Sequence, residues 1–193
     1  MDYISDNEIK EIVQRVMQQT GQTPLAPAVA QPAAPQPPAP EQKSVAIGSD
    51  HGGFEMKAAL IEVLKELKYD VIDCGTNSKE AVDYPDFALA VAQLVRQGQA
   101  WRGIMIDGAG IGSCMVANKV PGVRAAMAYD YASASNSREH NNANYLTLGA
   151  GLIGLNQAKL IVKTWLATEF AGGRHQPRVD KIMQVEKKFL KEG

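Results

Sequence analysis

Residues 103–113 read Gly-Ile-Met-Ile-Asp-Gly-Ala-Gly-Ile-Gly-Ser and join an apolar strand to the start of a helix through a glycine-rich loop. The run 103–106 is fully apolar, as expected of a strand that is covered on both faces of a parallel sheet. A helix is predicted from about Gly112 to Lys119. Because glycine permits close backbone approach, the loop amides and the helix N-terminus would together attract an anion.

Two interpretations of this loop are open. Glycine runs also occur in dinucleotide-binding folds, but there they follow the first strand with a fixed spacing. Here the run follows the third predicted strand and lacks the last glycine of that spacing. A cradle for a developing oxyanion therefore fits the pattern better.

The same alternation of apolar strands and amphipathic helices continues through residues 43–193. Strands are predicted at Val45–Gly48, Asp70–Asp73, Gly103–Ile106, Ala125–Ala128 and Tyr145–Leu148. Helices are predicted at Gly53–Leu67, Phe87–Gln97, Gly112–Lys119, Tyr131–Glu139, Leu155–Ala167 and Val179–Leu190. This pattern indicates one α/β domain with a parallel sheet, whose ligand site we expect at the carboxyl ends of the strands. We expect the histidine motif at 140–144 there too.

The composition excludes several classes of function. A net charge of −1 gives no electrostatic case for binding nucleic acid. No apolar run approaches the roughly 20 residues that span a bilayer, and the N-terminus lacks a secretory pattern, so we expect an intracellular protein. The two cysteines, Cys74 and Cys114, have no metal-ligand spacing and are expected to be reduced thiols. No His, Asp and Glu set has ligand spacing either, so no metal site is predicted.

The N-terminal 42 residues differ in character from this domain. Residues 24–40 hold seven of the ten prolines, which predicts an extended linker over 21–42. Before it, Ser5 and Glu8 form a capping-box pattern, and apolar residues recur on one face of a predicted helix at 5–18. Such a short helix needs a surface to fold against. That surface is either its own domain or, as the long linker favours, another protein.

Polar residues in four loop motifs are candidates for a binding site. Each of the three histidines, His51, His140 and His175, is either a capping or surface residue or part of a site. In a site, His51 could bind a hydroxyl or a phosphate, and His140 could move a proton onto or off a ring oxygen. Arg174 and Arg178 lie four apart, so they either form a solvated basic turn or present two guanidinium groups to one phosphate.

These motifs resemble the B-type ribose-5-phosphate isomerase and galactose-6-phosphate isomerase family. The resemblance covers nearly all of residues 43–193 and rests on D-H-G-G-F at 50–54, D-Y-P-D at 83–86, the glycine loop, E-H-N-N-A-N at 139–144 and G-G-R-H-Q-P-R at 172–178. It implies a cofactor-free aldose–ketose isomerase with a Rossmann-like α/β/α sandwich. It further implies dimers or tetramers whose site lies at a subunit interface.

The resemblance also implies roles for individual residues. Asp107 stands where the family has its base, and His140 resembles the acid/base that opens the sugar ring. Asp50 and His51 would bind near the ring oxygen, Tyr84 would line the pocket, and Asn141 would hold a hydroxyl. The enediolate cradle would be Gly108, Ala109, Gly110, Ile111 and Gly112, and the phosphate ligands would be Arg174 and Arg178.

Four positions depart from the family pattern. Asp107 replaces the usual cysteine base, and Ser113 stands where a second branch has a glutamate. Ala109 replaces a hydroxyl residue, and Gly151 replaces an arginine. Two hypotheses follow. The chain is either an isomerase of a phosphorylated aldose such as ribose 5-phosphate, with Asp107 as base, or a catalytically impaired sugar-phosphate-binding or scaffolding protein.

The N-terminal segment resembles the encapsulation peptides of bacterial microcompartment enzymes, which also place a short amphipathic helix and a Pro/Ala-rich linker before a catalytic domain. This resemblance implies that residues 5–18 bind shell or cargo proteins. The expected location is therefore the cytoplasm, within the lumen of a microcompartment.

Overall fold

Five parallel strands form a single sheet, in a computed structural model that describes residues 43–189. The strands are β1 (Ser44–Ser49), β2 (Asp70–Asp73), β3 (Arg102–Asp107), β4 (Ala125–Met127) and β5 (Tyr145–Gly149), in the spatial order β2-β1-β3-β5-β4. The predicted parallel sheet is confirmed. The N-terminal helix and linker predicted over 1–20 and 21–42 lie outside the described residues.

Helices follow the strands as predicted, with small shifts at their ends. They are α1 (Phe54–Glu66), α2 (Tyr84–Arg96), α3 (Ile111–Ala117), α4 (Tyr131–Glu139), α5 (Leu155–Ala167) and α6 (Gln176–Phe189), with a 3₁₀ turn at Gly173–His175. Helix α2 begins three residues before its predicted start. Asp83 is an extended N-cap, and Pro85 occupies the first turn, where no intrahelical partner is available for the N–H that proline lacks. None of the helices within 43–189 is long and apolar enough to cross a membrane.

Alternate strand residues point to opposite faces of the sheet and create two cores. Ile104 and Ile106 of β3 pack with α1, α4 and α5 on one face, whereas Met105 packs with α2 on the other. All three side chains are fully buried. The result is the Rossmann-like three-layer sandwich that the sequence predicts.

The strand order reverses between β1 and β3, which are hydrogen-bonded neighbours. The chain leaves β1 for α1 on one face and leaves β3 for α3 on the other, so the two loops diverge. A crevice forms at this point, at the carboxyl edge of the sheet, where open α/β sheets bind their ligands.

Candidate functional site

Asp107 ends β3 inside this crevice and is 4% exposed. Its Oδ1 accepts hydrogen bonds from the amides of Ala109, at 2.8 Å, and Gly110. Its Oδ2 accepts from the amide of Ser113, at 3.3 Å, and from the Ser113 hydroxyl. The carboxylate thus caps its own loop and the start of α3. Gly110 makes this turn possible because its φ of +77° strains any other residue.

The remaining loop amides stay available. Within residues 43–189, the N–H groups of Gly108, Ile111 and Gly112 donate to no protein acceptor. Together with the N-terminus of α3 they form a donor-rich rim that can hold an anion.

Asp50 and His51 follow β1 on the opposite side of the crevice. Asp50 is 7% exposed, and its Oδ1 accepts from the amide of Gly53 at 3.0 Å. The exposed His51 accepts at Nδ1 from the amide of Val82 at 3.2 Å, so its neutral ring carries the proton on Nε2. A side chain at Gly52 would lie 3.6 Å from the Gly108 nitrogen, so the two loops adjoin. The fold therefore places the loop that carries Asp50 and His51 beside the loop that follows Asp107.

Tyr84 covers the far end of the glycine loop. Its phenol lies so close to Gly112 that even a methyl group there would clash with the ring. A larger residue at position 112 would therefore have to displace the Tyr84 ring. The contact places Tyr84, which is 37% exposed, at the wall of the crevice.

Tyr129 is a site residue that sequence reasoning missed. It follows β4, and its hydroxyl donates to the carbonyl oxygen of Ala109 at 3.2 Å. It belongs to no recognisable motif. The only available signal is its position directly after the predicted carboxyl end of a strand.

The second group of candidate residues lies where α4 ends. His140 caps α4, and its ring stacks on that of His175 with centroids 4.1 Å apart and planes inclined by 6°. Arg174 donates from Nε to Nε2 of His175 at 3.3 Å. Arg178, one turn into α6, and Asn141 are both exposed nearby in the chain.

Arg138, to which the sequence assigned no role, links the end of α4 to Thr168 after α5. Its side chain is 5% exposed and donates from Nε to the carbonyl of Thr168 at 3.2 Å and from Nη1 to Oδ1 of Asn142 at 3.0 Å. Burial, its main perturbation, lowers the pKa of Arg138 to about 10, which leaves it charged at neutral pH. Sequence offered only a charged residue on a helix, and such residues usually face solvent.

The Asp107 group lies at the carboxyl ends of the strands, whereas the His140 group lies at their amino ends. Helix α4 runs back from the carboxyl end of β4, so His140 lies near the amino end of β5, and Asp107 pairs with Gly149 at the other end. The four residue steps from Tyr145 to Gly149 along β5 correspond to a separation of about 13 Å between the two ends of the strand. The prediction that 140–144 lies at the carboxyl ends is therefore wrong, because a loop that precedes a parallel strand is at its amino end. No hydrogen bond joins the two groups within residues 43–189.

The thiols take no part in the crevice. Cys114 contacts the carbonyl of Ala125 at 3.6 Å, on the β4 side of α3. Burial raises the pKa of both Cys74 and Cys114, which disfavours the reactive thiolate. Among the described residues no three His, Cys, Asp or Glu side chains are placed to hold a metal.

The fold and crevice thus define a Rossmann-like α/β protein with a glycine-rich loop at its strand switch point. The sequence profile of the family described as Ribose/Galactose Isomerase matches residues 45–182. The chain belongs to this family.

Individual relatives agree with that assignment. The chain is 48% identical over 147 residues to a putative sugar phosphate isomerase, YwlF, of Bacillus subtilis, covering 76% of this chain and 99% of the relative. It is 43% identical over 146 residues to ribose-5-phosphate isomerase B of Escherichia coli, covering 76% and 98%.

Solved structures show the same similarity. Ribose-5-phosphate isomerase B of Clostridium thermocellum matches with a TM-score of 0.74 and 52% identity, covering 76% of this chain and 99% of that one. The Mycoplasma genitalium enzyme, solved with bound ribulose 5-phosphate, matches with a TM-score of 0.73 and 41% identity, covering 75% and 97%. The relatives support a sugar-phosphate isomerase.

Proposed function

We propose that this protein interconverts a phosphorylated aldose and ketose, with ribose 5-phosphate and ribulose 5-phosphate as the first choice. The observation that carries the proposal is a buried carboxylate, Asp107, beside unpaired loop amides at the switch point of the sheet. We choose ribose 5-phosphate as the sugar because similar proteins are named ribose-5-phosphate isomerase B.

The reaction needs a base beside an oxyanion hole. Asp107 removes the proton from C2 of the open-chain aldose, and the electron pair moves onto the C1 carbonyl oxygen to give an enediolate. The amides of Gly108, Ile111 and Gly112 hold that oxyanion. The proton then returns to C1, while the C2 hydroxyl passes its proton to the C1 oxyanion and becomes the carbonyl. No proton or electron is gained overall, so the step needs no cofactor.

The remaining candidates bind and open the sugar. His140 moves a proton onto the ring oxygen during ring opening, and Asn141 holds a hydroxyl. Asp50 and His51, with its Nε2–H facing outward, bind near the carbonyl. Arg174 and Arg178 bind the phosphate, for which guanidinium geometry is suited.

The hydrogen bonds of Asp107 place a condition on this mechanism. A carboxylate has about four lone-pair sites, and the four donors of its own loop occupy them all. The Ser113 hydroxyl is the one donor that can rotate away without moving the backbone. We infer that substrate binding displaces this hydroxyl and frees Oδ2 to act as the base.

The same four hydrogen bonds favour a second candidate function. If Ser113 never releases Oδ2, Asp107 is a structural cap, and the protein binds a sugar phosphate without turning it over. Both candidate functions use the same phosphate-binding residues, so a measurement of sugar-phosphate binding alone does not distinguish them.

We also propose that the complete site is shared between two copies of the chain, in a homodimer or a tetramer. The two residue groups lie at opposite edges of one sheet, so a partner must bring its His140 group to the Asp107 crevice. Apolar side chains beside both groups support this arrangement. Ile111 and Met115 near the glycine loop are 46% and 64% exposed, and Ile182 near Asn141 is 50% exposed.

We further propose that residues 5–18 direct the protein to the lumen of a bacterial microcompartment within the cytoplasm. The amphipathic pattern of that segment and the proline-rich linker after it support this. The family match begins only at Val45, downstream of both.

The test of the function is hydrogen exchange in D₂O. Ribose 5-phosphate is incubated with the parent protein and with Asp107→Asn, and NMR follows deuterium at C2 of the aldose and C1 of the ketose. Exchange by the parent alone supports the isomerase. Binding of the sugar phosphate without exchange establishes the second candidate, and the absence of both overturns the proposal.

A further inference from the structure

His175 occupies an unusual position between two proposed functional side chains. It is 8% exposed, whereas His51 is exposed and the side chain of His140 is 32% exposed. One face of its ring lies parallel to His140, and its Nε2 accepts from Nε of Arg174. A single buried imidazole therefore contacts both a proposed acid/base group and a proposed phosphate ligand.

Each contact restrains its partner in a different way. The stack fixes the plane of the His140 ring, while the amide nitrogen of Asn136, 2.8 Å from Nδ1, fixes its rotation. Nε2 of His140 then lies 3.8 Å from Oε1 of Glu139. The bond to Arg174 engages only Nε, so both terminal nitrogens of the guanidinium remain free to bind two phosphate oxygens.

We propose that His175 is a positioning residue that fixes His140 and Arg174 relative to each other, and so sets the separation between the ring-opening group and the phosphate site. This inference rests on the proposed function. A sugar phosphate has a fixed distance between its ring oxygen and its phosphorus, so a rigid separation favours sugars of one length.

The surroundings of His175 keep its imidazole in one protonation state. Partial desolvation, followed by the positive charge of His140, Arg174 and Arg178, lowers the pKa of His175, and only Glu139 opposes the shift. His175 thus stays neutral, with Nε2 free to accept from Arg174 and the proton on Nδ1.

Two substitutions separate the two contacts. His175→Phe keeps a flat ring against His140 but removes the acceptor for Arg174, whereas His175→Gln keeps an acceptor but removes the ring. We expect His175→Phe to weaken binding of inorganic phosphate and raise KM for ribose 5-phosphate by about tenfold with a near-parental kcat. We expect His175→Gln to lower kcat and shift its pH profile with a near-parental KM.

Gln176→Ala is the matched control, because among the described residues the side chain of this exposed neighbour bonds only to Asp180. Both kinetic constants should stay at the parental values. Equal effects of the two His175 variants on KM and kcat, or none, would overturn the proposal.

Two readouts do not depend on catalysis and so distinguish failure of this inference from failure of the proposed function. Titration with inorganic phosphate reports Arg174 directly. In NMR spectra of the parent, the His140 Cε1 proton should show a ring-current shift that His175→Phe retains and His175→Gln loses. In the parent, His175 should gain its proton only below the ordinary histidine pKa of about 6.5. Protonation of His175 at or above that pH contradicts the proposal even if every variant fails to fold.

Discussion

The carboxylate of Asp107 is bonded twice to Ser113, once through the amide and once through the hydroxyl, across the glycine loop that separates them. Ser113 is fully buried, so no water competes for this contact. The pair fixes the loop before any ligand arrives. It also decides whether the carboxylate is available as a base.

The first prediction concerns Ser113→Ala. Removing the hydroxyl leaves Oδ2 of a buried carboxylate short of one donor, which should lower the free energy of unfolding by about 1–3 kcal/mol. Chemical denaturation measures the change.

Ser49→Ala is the control, because the Ser49 hydroxyl is equally buried but has no hydrogen-bond partner among the described residues. Its removal should be neutral or stabilising. Equal losses in both variants would show that Ser113 does not support Asp107.

A second prediction concerns Asp107→Asn. The amide oxygen can still accept from the Ala109 and Gly110 amides, and the Ser113 hydroxyl can turn to accept from the new NH₂ group. Only the 3.3 Å bond from the Ser113 amide is lost, so the loop should persist. Loss of a general base should lower kcat by about 100- to 10,000-fold with little change in KM. Steady-state kinetics measures both. Asp70→Asn makes the same change at an exposed position of β2 and should have no effect. A fully active Asp107→Asn variant would exclude Asp107 as the base.

Asp107→Cys makes a complementary test of the same position. A thiolate is the base that the family resemblance implies, so isomerisation of ribose 5-phosphate should rise if the loop survives. A thiol accepts hydrogen bonds only weakly, however, and cannot replace four of them. Increased activity with reduced stability is therefore the expected combination. Unchanged activity in a folded variant would indicate that Ala109 or Gly151 limits the reaction.

The sequence predicted the layers of this fold but not the location of each motif along the strands. Apolar strands such as 103–106 specify a covered parallel sheet because their pattern depends only on local burial. The position of His140 depends on chain direction, since the loop before a strand lies at the opposite edge from the loop after it. Tyr129 and Arg138 were missed because their partners, Ala109 and Thr168, are 20 and 30 residues away in sequence. Only tertiary structure brings such residues together.

A third prediction tests the phosphate ligands. Arg174→Ala or Arg178→Ala removes a charge-assisted contact worth about 1.5–3 kcal/mol, so KM for the sugar phosphate should rise roughly ten- to a hundredfold. Lysine should restore only part of the loss, because it lacks the planar fork. Calorimetric titration with phosphate gives the same comparison without turnover. Arg96→Ala, at the exposed end of α2, is the control. If both variants bind like the parent, the pair is a solvated turn.

A fourth prediction follows from the lowered pKa of His175. The unfolded chain protonates this histidine near its ordinary pKa of about 6.5, whereas the folded chain does so at lower pH. Protonation therefore favours unfolding, and the stability of the domain should fall as the pH drops below about 6.5 toward the folded-state pKa. Unfolding curves at several pH values should show a shallower decline in His175→Phe than in the parent. Identical slopes would mean that His175 is free to titrate in the fold.

The last prediction is that residues 1–42 are needed for location and not for folding. Strand β1 begins at Ser44 and is already paired on both sides, by β2 and β3, and both cores are built from residues between Val45 and Val179. Deleting 1–42 should therefore leave the melting temperature, the oligomeric state and any isomerase activity nearly unchanged. Calorimetry, light scattering and kinetics measure these three properties. Loss of folding or of the oligomer would show that the segment is a structural brace.

The segment alone should be sufficient for placement. Residues 1–42 fused to a fluorescent protein should co-localise with shell or cargo proteins in cells that make the compartment, because burial of the apolar face on a partner drives binding. Ile9→Glu with Val13→Glu puts two charges on that face and should abolish co-localisation. Gln14→Glu with Gln18→Glu adds the same charge on the opposite side of the predicted helix and should not. If both pairs disperse the fusion equally, net charge and not the apolar face controls its location, and recruitment by helix docking is excluded.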